Sequence, residues 1–140
     1  MENCFYCEKG EKLNSLMIKI IELSNSIVYL NRNQKHKGRS IVTFKGHKKE
    51  WFDLTPEENK GFFADTALVA KALNNVFKPN KINYATFGDT VPHTHIHVVP
   101  KYEGGFQWGK FFDDSEKEFL TEDQYKDLIS KISAEIEKLK

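Results

Sequence analysis

Three of the chain's five histidines fall within five residues, at alternate positions of the run His93-Thr94-His95-Ile96-His97-Val98-Val99-Pro100. Period-two spacing in an apolar, β-branched setting predicts a strand, so His93, His95 and His97 share one face while Thr94, Ile96 and Val98 turn to the other. One face is for chemistry and the other for core. A half-buried strand with three solvated or hydrogen-bonded histidines is the plain alternative, and so many imidazoles in so few residues argue against it. A single zinc ion cannot take all three: at roughly 3.3 Å per residue the outer two are about 13 Å apart, against Zn–N bonds of about 2.0 Å. Two of them could share a metal. The remaining option is that one imidazole acts as a nucleophile while its neighbours orient it and hold the substrate's charge. Neutral imidazole, with an ordinary pKa of about 6.5, suits attack at neutral pH if an acceptor such as a backbone carbonyl keeps the proton on the other nitrogen.

Other segments must hold this strand in place. Leu16 to Leu23 and Ser26 to Asn31 are short runs rich in Ile, Val and Tyr and predict a hairpin, with Arg39 to Lys45 as a third strand. Thr55-Pro56-Glu57-Glu58 is a helix start, with Thr55 as N-cap, Pro56 in the first turn and Glu58 closing a capping box. Phe62, Val69, Leu73, Val76 and Phe77 then form an apolar face until Pro79 ends the helix. Ile82 to Phe87 predicts a fourth strand, Gly88-Asp89-Thr90 a turn, and the histidine run a fifth strand paired to the fourth. A last helix starts at Thr121, capped through Gln124, with Tyr125, Leu128, Ile129, Ile132, Ile136 and Leu139 on one side. That stripe needs a partner, either this domain's own sheet or a second subunit.

At 140 residues with 21 basic and 20 acidic side chains, the chain predicts one domain with a net charge of +1. No global field favours nucleic acid or an anionic membrane, so an anionic substrate must be held locally. The opening Met1-Glu2-Asn3-Cys4 does not read as a signal peptide, and no apolar stretch is long enough to span a bilayer, which predicts a soluble, cytoplasmic protein. The two cysteines form Cys4-x-x-Cys7, half of a zinc site on a tight turn. A thioredoxin-like redox pair is disfavoured, since neither a βαβ unit nor a helix N-terminus is evident there. His36, in a lysine-rich loop, is expected to be solvated.

The histidine run resembles the His-x-His-x-His-apolar-apolar signature of the histidine triad (HIT) family of nucleotidyl hydrolases and transferases. The resemblance extends from about Cys4 to Trp108. It implies an α+β HIT-like fold: about five antiparallel strands with a long central helix, over residues 1–110. Residues 111–140 then form a C-terminal helical extension on the same domain or on a dimer partner. It implies His95 as the nucleophile toward the α-phosphorus of a nucleotide and His97 as a hydrogen-bond partner of the phosphate. Gly88-Asp89-Thr90-Val91-Pro92-His93 is similar to the family's Gly-Gln-Ser/Thr-Val-x-His, making Thr90 a phosphate contact. Asp89 stands where glutamine is usual, and a carboxylate beside phosphate is repulsive unless protonated, paired or turned away.

Asn31 matches the ribose-binding position, and Asn31-Arg32 looks most like the diadenosine polyphosphate hydrolase branch. Arg39 occupies a position often held by a fourth histidine, and its fork can hold a phosphate oxygen or a polyphosphate tail. Lys45-Gly46-His47 resembles an element whose histidine ligates zinc in the branch that carries an N-terminal Cys-x-x-Cys. Cys4, Cys7, His47 and His93 are then the ligands of a closed, structural zinc site. No organic cofactor is implied, and the family forms dimers in which two sheets join. Two other functions stay open: a slow-turnover nucleotide-binding regulatory module, suggested by Asp89 and Arg39, and a metal-dependent hydrolase with His93 and His95 on one zinc.

Overall fold

The computed structural model describes residues 3–140; Met1 and Glu2, part of the opening read above, lie outside them. Five strands form one antiparallel sheet in the order β1-β2-β3-β5-β4, with β1 Met17–Glu22, β2 Ser26–Asn31, β3 Ser40–Phe44, β4 Lys81–Ala85 and β5 His95–Lys101. The histidine strand is therefore internal, with β3 on one side and β4 on the other. Alternation sorts the side chains: Val28, Leu30, Val42, Phe44, Ile96 and Val98 enter the main core, while Ile27, Tyr29 and Ile41 enter a second cluster with Cys4, Tyr6, Leu13 and Met17. Register places Ile41 opposite His97 and Thr43 opposite His95.

The main core lies under two long helices, α3 (Pro56–Phe77) and α4 (Glu122–Leu139). Both begin with the capping boxes expected of them: Thr55 with Glu58, and Thr121 with Gln124. The apolar stripe of α4 rests on α3 and β1, with Tyr125, Ile132 and Ile136 buried in the same core as Phe62, Val69 and Leu73. This domain covers the stripe itself, so the stripe gives no support to a second subunit.

Several boundaries differ from expectation. Two short helices, α1 (Phe5–Glu8) and α2 (Glu11–Leu16), precede the sheet, so Leu16 is helical and Cys4 is an N-cap. β4 ends at Ala85, because Thr86 turns its hydroxyl to the His95 carbonyl at 2.6 Å. His93 and Thr94 precede the fifth strand: the amide and hydroxyl of Thr94 both donate to the Lys48 carbonyl, at 2.8 and 2.9 Å, and draw it out of the ladder.

One close approach fixes α3 on the sheet. A Cβ at Gly61 would lie 2.3 Å from Asn25 Nδ2 in the β1–β2 turn. One helical turn later, buried Asp65 accepts hydrogen bonds from the Asn25 amide at 3.0 Å and the Ser26 hydroxyl at 2.8 Å. Among the described residues, no helix is long and apolar enough to cross a membrane.

Candidate active site and metal cluster

His95 is buried at the start of β5, and its Nδ1 lies 2.5 Å from the His93 carbonyl oxygen. A carbonyl only accepts, so Nδ1 carries the proton and Nε2 the lone pair. This is the arrangement a nucleophilic imidazole needs. Burial lowers its pKa, opposed by the hydrogen bond to His93, so the neutral ring is favoured. His97 stands beside it with ring centroids 5.3 Å apart. Burial first, then the Arg39 guanidinium and His95, push His97 down to about 3, so it too is neutral. Tyr6 of α1 packs 5.2 Å from the His93 ring and 5.3 Å from the His95 ring, closing one side of the row. Nothing in the sequence around Tyr6 pointed to that role except its place between the two cysteines.

His93 faces a different set of groups. Its Nε2 donates to the Phe44 carbonyl at 2.9 Å, which leaves the lone pair on Nδ1. That nitrogen lies 3.4 Å from Cys4 Sγ, 3.6 Å from Cys7 Sγ and 3.3 Å from His47 Nδ1, while Cys7 Sγ is 3.2 Å from His47 Nδ1. All four donor atoms fall within 4.8 Å of one another. Zn–S bonds of about 2.3 Å and Zn–N bonds of about 2.0 Å in a tetrahedron need edges of about 3.3 Å between nitrogens and about 3.5 Å between nitrogen and sulfur. The donor set therefore fits zinc in spacing and in chemistry. Burial and the neighbouring Cys4 thiol push Cys7 up to about 11, and a bound cation would reverse that by stabilising the thiolates. Both nitrogens of His93 are thus engaged, leaving none for an ion shared with His95.

Arg39 is 5% exposed and sits beneath the Phe112 ring, 5.2 Å from its centroid. Its Nη1 donates to Asp114 Oδ1 at 2.7 Å and its Nη2 lies 3.4 Å from His97 Nδ1. The segment after β5 thus folds back over the histidine row. Phe112 lies 6.0 Å from His97, and Phe87 flanks the same ring at 5.7 Å. A groove of about 600 Å³ opens beside them, lined by β4 together with Phe87, Phe111 and Phe112. Asn31 is buried at the end of β2, its Nδ2 donating to the Asn33 carbonyl at 3.0 Å.

Asp89 and Thr90 are exposed in the β4–β5 loop and make no hydrogen bond among the described residues. The structure therefore brings together His93, His95, His97 and Arg39, and separately Cys4, Cys7, His47 and His93, but gives Asp89 and Thr90 no fixed place in either. His36 is not solvated: it is 4% exposed, with Nε2 2.9 Å from Gln107 Oε1 and its ring 4.9 Å from Phe106. The same returning segment covers it. Sequence reasoning also missed Asp114 and Phe112, which lie beyond the recognisable motifs and carry no local signal.

The sequence model of the HIT domain family matches residues 13–104. Protein hit of Bacillus subtilis (strain 168) is 26% identical over 129 residues, a match covering 87% of each chain. The crystal structure of a Zn-bound histidine triad family protein from Mycobacterium smegmatis superposes with a TM-score of 0.68 at 22% identity, covering 98% of this chain and 95% of that one. Coverage of that extent takes in α4, so the likeness continues past Trp108, where the sequence motifs end. A shorter stretch is 32% identical over 59 residues to the asymmetrical bis(5'-nucleosyl)-tetraphosphatase of Schizosaccharomyces pombe, 39% of this chain and 32% of that enzyme.

Proposed function

The chain belongs to the HIT domain family, and on that premise we propose that it is a nucleotidyl hydrolase or transferase acting through a covalent nucleotidyl-histidine. Its substrates are nucleotide derivatives with a leaving group on the α-phosphate, either dinucleoside polyphosphates or nucleoside phosphoramidates. The observation that carries this reading is the His95 ring, its proton held on Nδ1 by the His93 carbonyl and its Nε2 lone pair free. That lone pair attacks phosphorus as the bond to the leaving group breaks, and the bonding electrons depart with the leaving group, which takes up a proton. Water then cleaves the P–N bond and releases the monophosphate. Asn31 is assigned to the ribose. Thr90 and His97 are assigned to the phosphate oxygens, Arg39 to the same subsite through its contact with His97, and Asp89 to the rim of the same site. Catalysis rests on positioning and on stabilising developing charge.

Zinc is the metal proposed for Cys4, Cys7, His47 and His93, where four protein ligands make it a contributor of folding free energy. Two free thiols fit a cytoplasmic setting. A homodimer is proposed through the edge strand β4, which bears exposed Tyr84 and is followed by exposed Phe87.

The test is a hydrolysis panel over diadenosine polyphosphates, adenosine phosphoramidates and adenylylated amines, run with acid-free quenching and mass spectrometry of residues 91 to 101. An adduct confined to His95 is expected. His95→Asn should bind nucleotide but lose several orders of magnitude in turnover, while loss of His97 should cost about 10²–10³ in rate. Full activity in His95→Asn would end the proposal.

A further inference from the structure

Arg39 and Asp114 make a chain of contacts that ends on a nitrogen of His97, and the direction of each bond is fixed by chemistry. A guanidinium only donates and does not lose its proton in proteins. The His97 Nδ1 that faces Arg39 Nη2 at 3.4 Å therefore presents a lone pair. In a neutral imidazole the proton is then on Nε2. We propose that Arg39 and Asp114 are positioning residues that lock His97 as the Nε2–H tautomer, so that it offers a hydrogen-bond donor beside the nucleophile. His95 is held in the opposite tautomer by the His93 carbonyl. Two adjacent imidazoles on one strand face are thereby assigned opposite tasks by two separate anchors. The catalytic half of this inference rests on the function proposed above; the tautomer does not.

The anchor is built, not incidental. Arg39 is 5% exposed and stacked under Phe112, so its fork has little freedom to turn. Among the described residues its Nε lies buried without a hydrogen-bond partner, and Asp114 and His97 take the hydrogen bonds it makes. Asp114 Oδ1 lies 3.4 Å from Asn33 Nδ2, which also donates to the Glu116 carbonyl, while Asn33 Oδ1 accepts from the Glu118 amide. The returning segment is thus stitched to the β2–β3 loop. The groups facing His97 are Arg39, Asp114, His95 and the rings of Phe87 and Phe112. Burial and the guanidinium both keep the ring neutral, which is the state that has a tautomer to choose.

The test uses the full-length, zinc-replete protein with ¹⁵N-labelled histidine, read by long-range proton–nitrogen spectra at neutral pH, with His97 assigned from the signals missing in His97→Gln. Wild type should show His97 with an unprotonated Nδ1 and a protonated Nε2. Arg39→Met should give a mixture of tautomers, and Asp114→Asn should shift the balance partway. The Asp114 side chain is 58% exposed, so that variant is expected to fold. With diadenosine tetraphosphate and adenosine phosphoramidate as probes, kcat should fall about 10²–10³-fold in Arg39→Met, in line with loss of a charge-stabilising donor, and about tenfold in Asp114→Asn, with KM nearly unchanged. A protonated Nδ1 in wild type, or an unaltered tautomer in Arg39→Met, overturns the proposal. So does a rise in KM at constant kcat, which would make Arg39 a plain substrate contact. If wild type turns over neither probe, the nucleotide reading fails and the spectra alone decide the tautomer.

Discussion

Removing zinc should cost this fold a sizeable part of its stability, and the size of the loss can be worked from chain connectivity. The metal would tie Cys4 to His93, 89 residues away in sequence. In the chain-entropy picture, a cross-link closing a loop of that length removes about 4.6 kcal/mol of unfolded-state freedom. Linkage gives a similar figure: free metal at a thousand times its dissociation constant stabilises by about 4.1 kcal/mol. For a chain of this size each kcal/mol moves the melting temperature by roughly 4 °C, so chelation should lower it by about 16 °C. The assay is a thermal melt with and without a strong chelator, beside metal analysis of protein purified without one. One zinc per chain is expected. Cys4→Ser should melt near the chelated wild type and no longer respond to chelator. Purified protein that carries no zinc, or a melting temperature within about 2 °C after chelation, would refute the reasoning.

Acid should expose His97. Its pKa is lowered in the folded state to about 3, from an ordinary 6.5, so its contribution is intact above pH 6.5 and is lost as pH falls toward 3, where the unfolded chain takes the proton first. Melting temperatures between pH 7 and 4 should therefore fall less steeply in His97→Asn than in wild type, and parallel slopes would count against it. His93→Ala should lower metal content, stability and activity together, whereas His97→Asn should leave the metal in place; metal analysis of both variants separates the two roles. Sedimentation at tens of micromolar should give a dimer, and a proline placed at Ala85 on the edge strand should weaken it. A monomeric wild type would exclude that assembly.

What could be read from sequence was what sequence-local physics determines. Alternation alone separated the chemical from the core face of the histidine strand, and the two capping boxes marked α3 and α4 within a residue of their starts. The Cys-x-x-Cys, His47 and His93 were found by motif, and the fold brings them together. The failures share one cause. His36 looked solvated because its neighbours in sequence are lysines, yet Phe106 and Gln107 arrive from the far end of the chain to bury it. Asp65 carries no local signal, because its two donors come from the β1–β2 turn. Asp114 and Phe112 belong to no motif and gain meaning only when the returning segment meets Arg39. Short α1 and α2 lack a full amphipathic repeat, so periodicity had nothing to detect.

Gly61 gives α3 an inverted tolerance to mutation. Glycine inside a helix is about 1 kcal/mol worse than alanine by intrinsic preference, so a surface-minded engineer would replace it first. Here even a methyl group would overlap the Asn25 side-chain amide, so either that amide or the helix must shift. In a saturation scan position 61 should lose stability with residue size, and Gly61→Ala should be better tolerated alongside a smaller residue at Asn25. The two sites would then change as a pair, a constraint on this chain's evolution set by contact and not by chemistry.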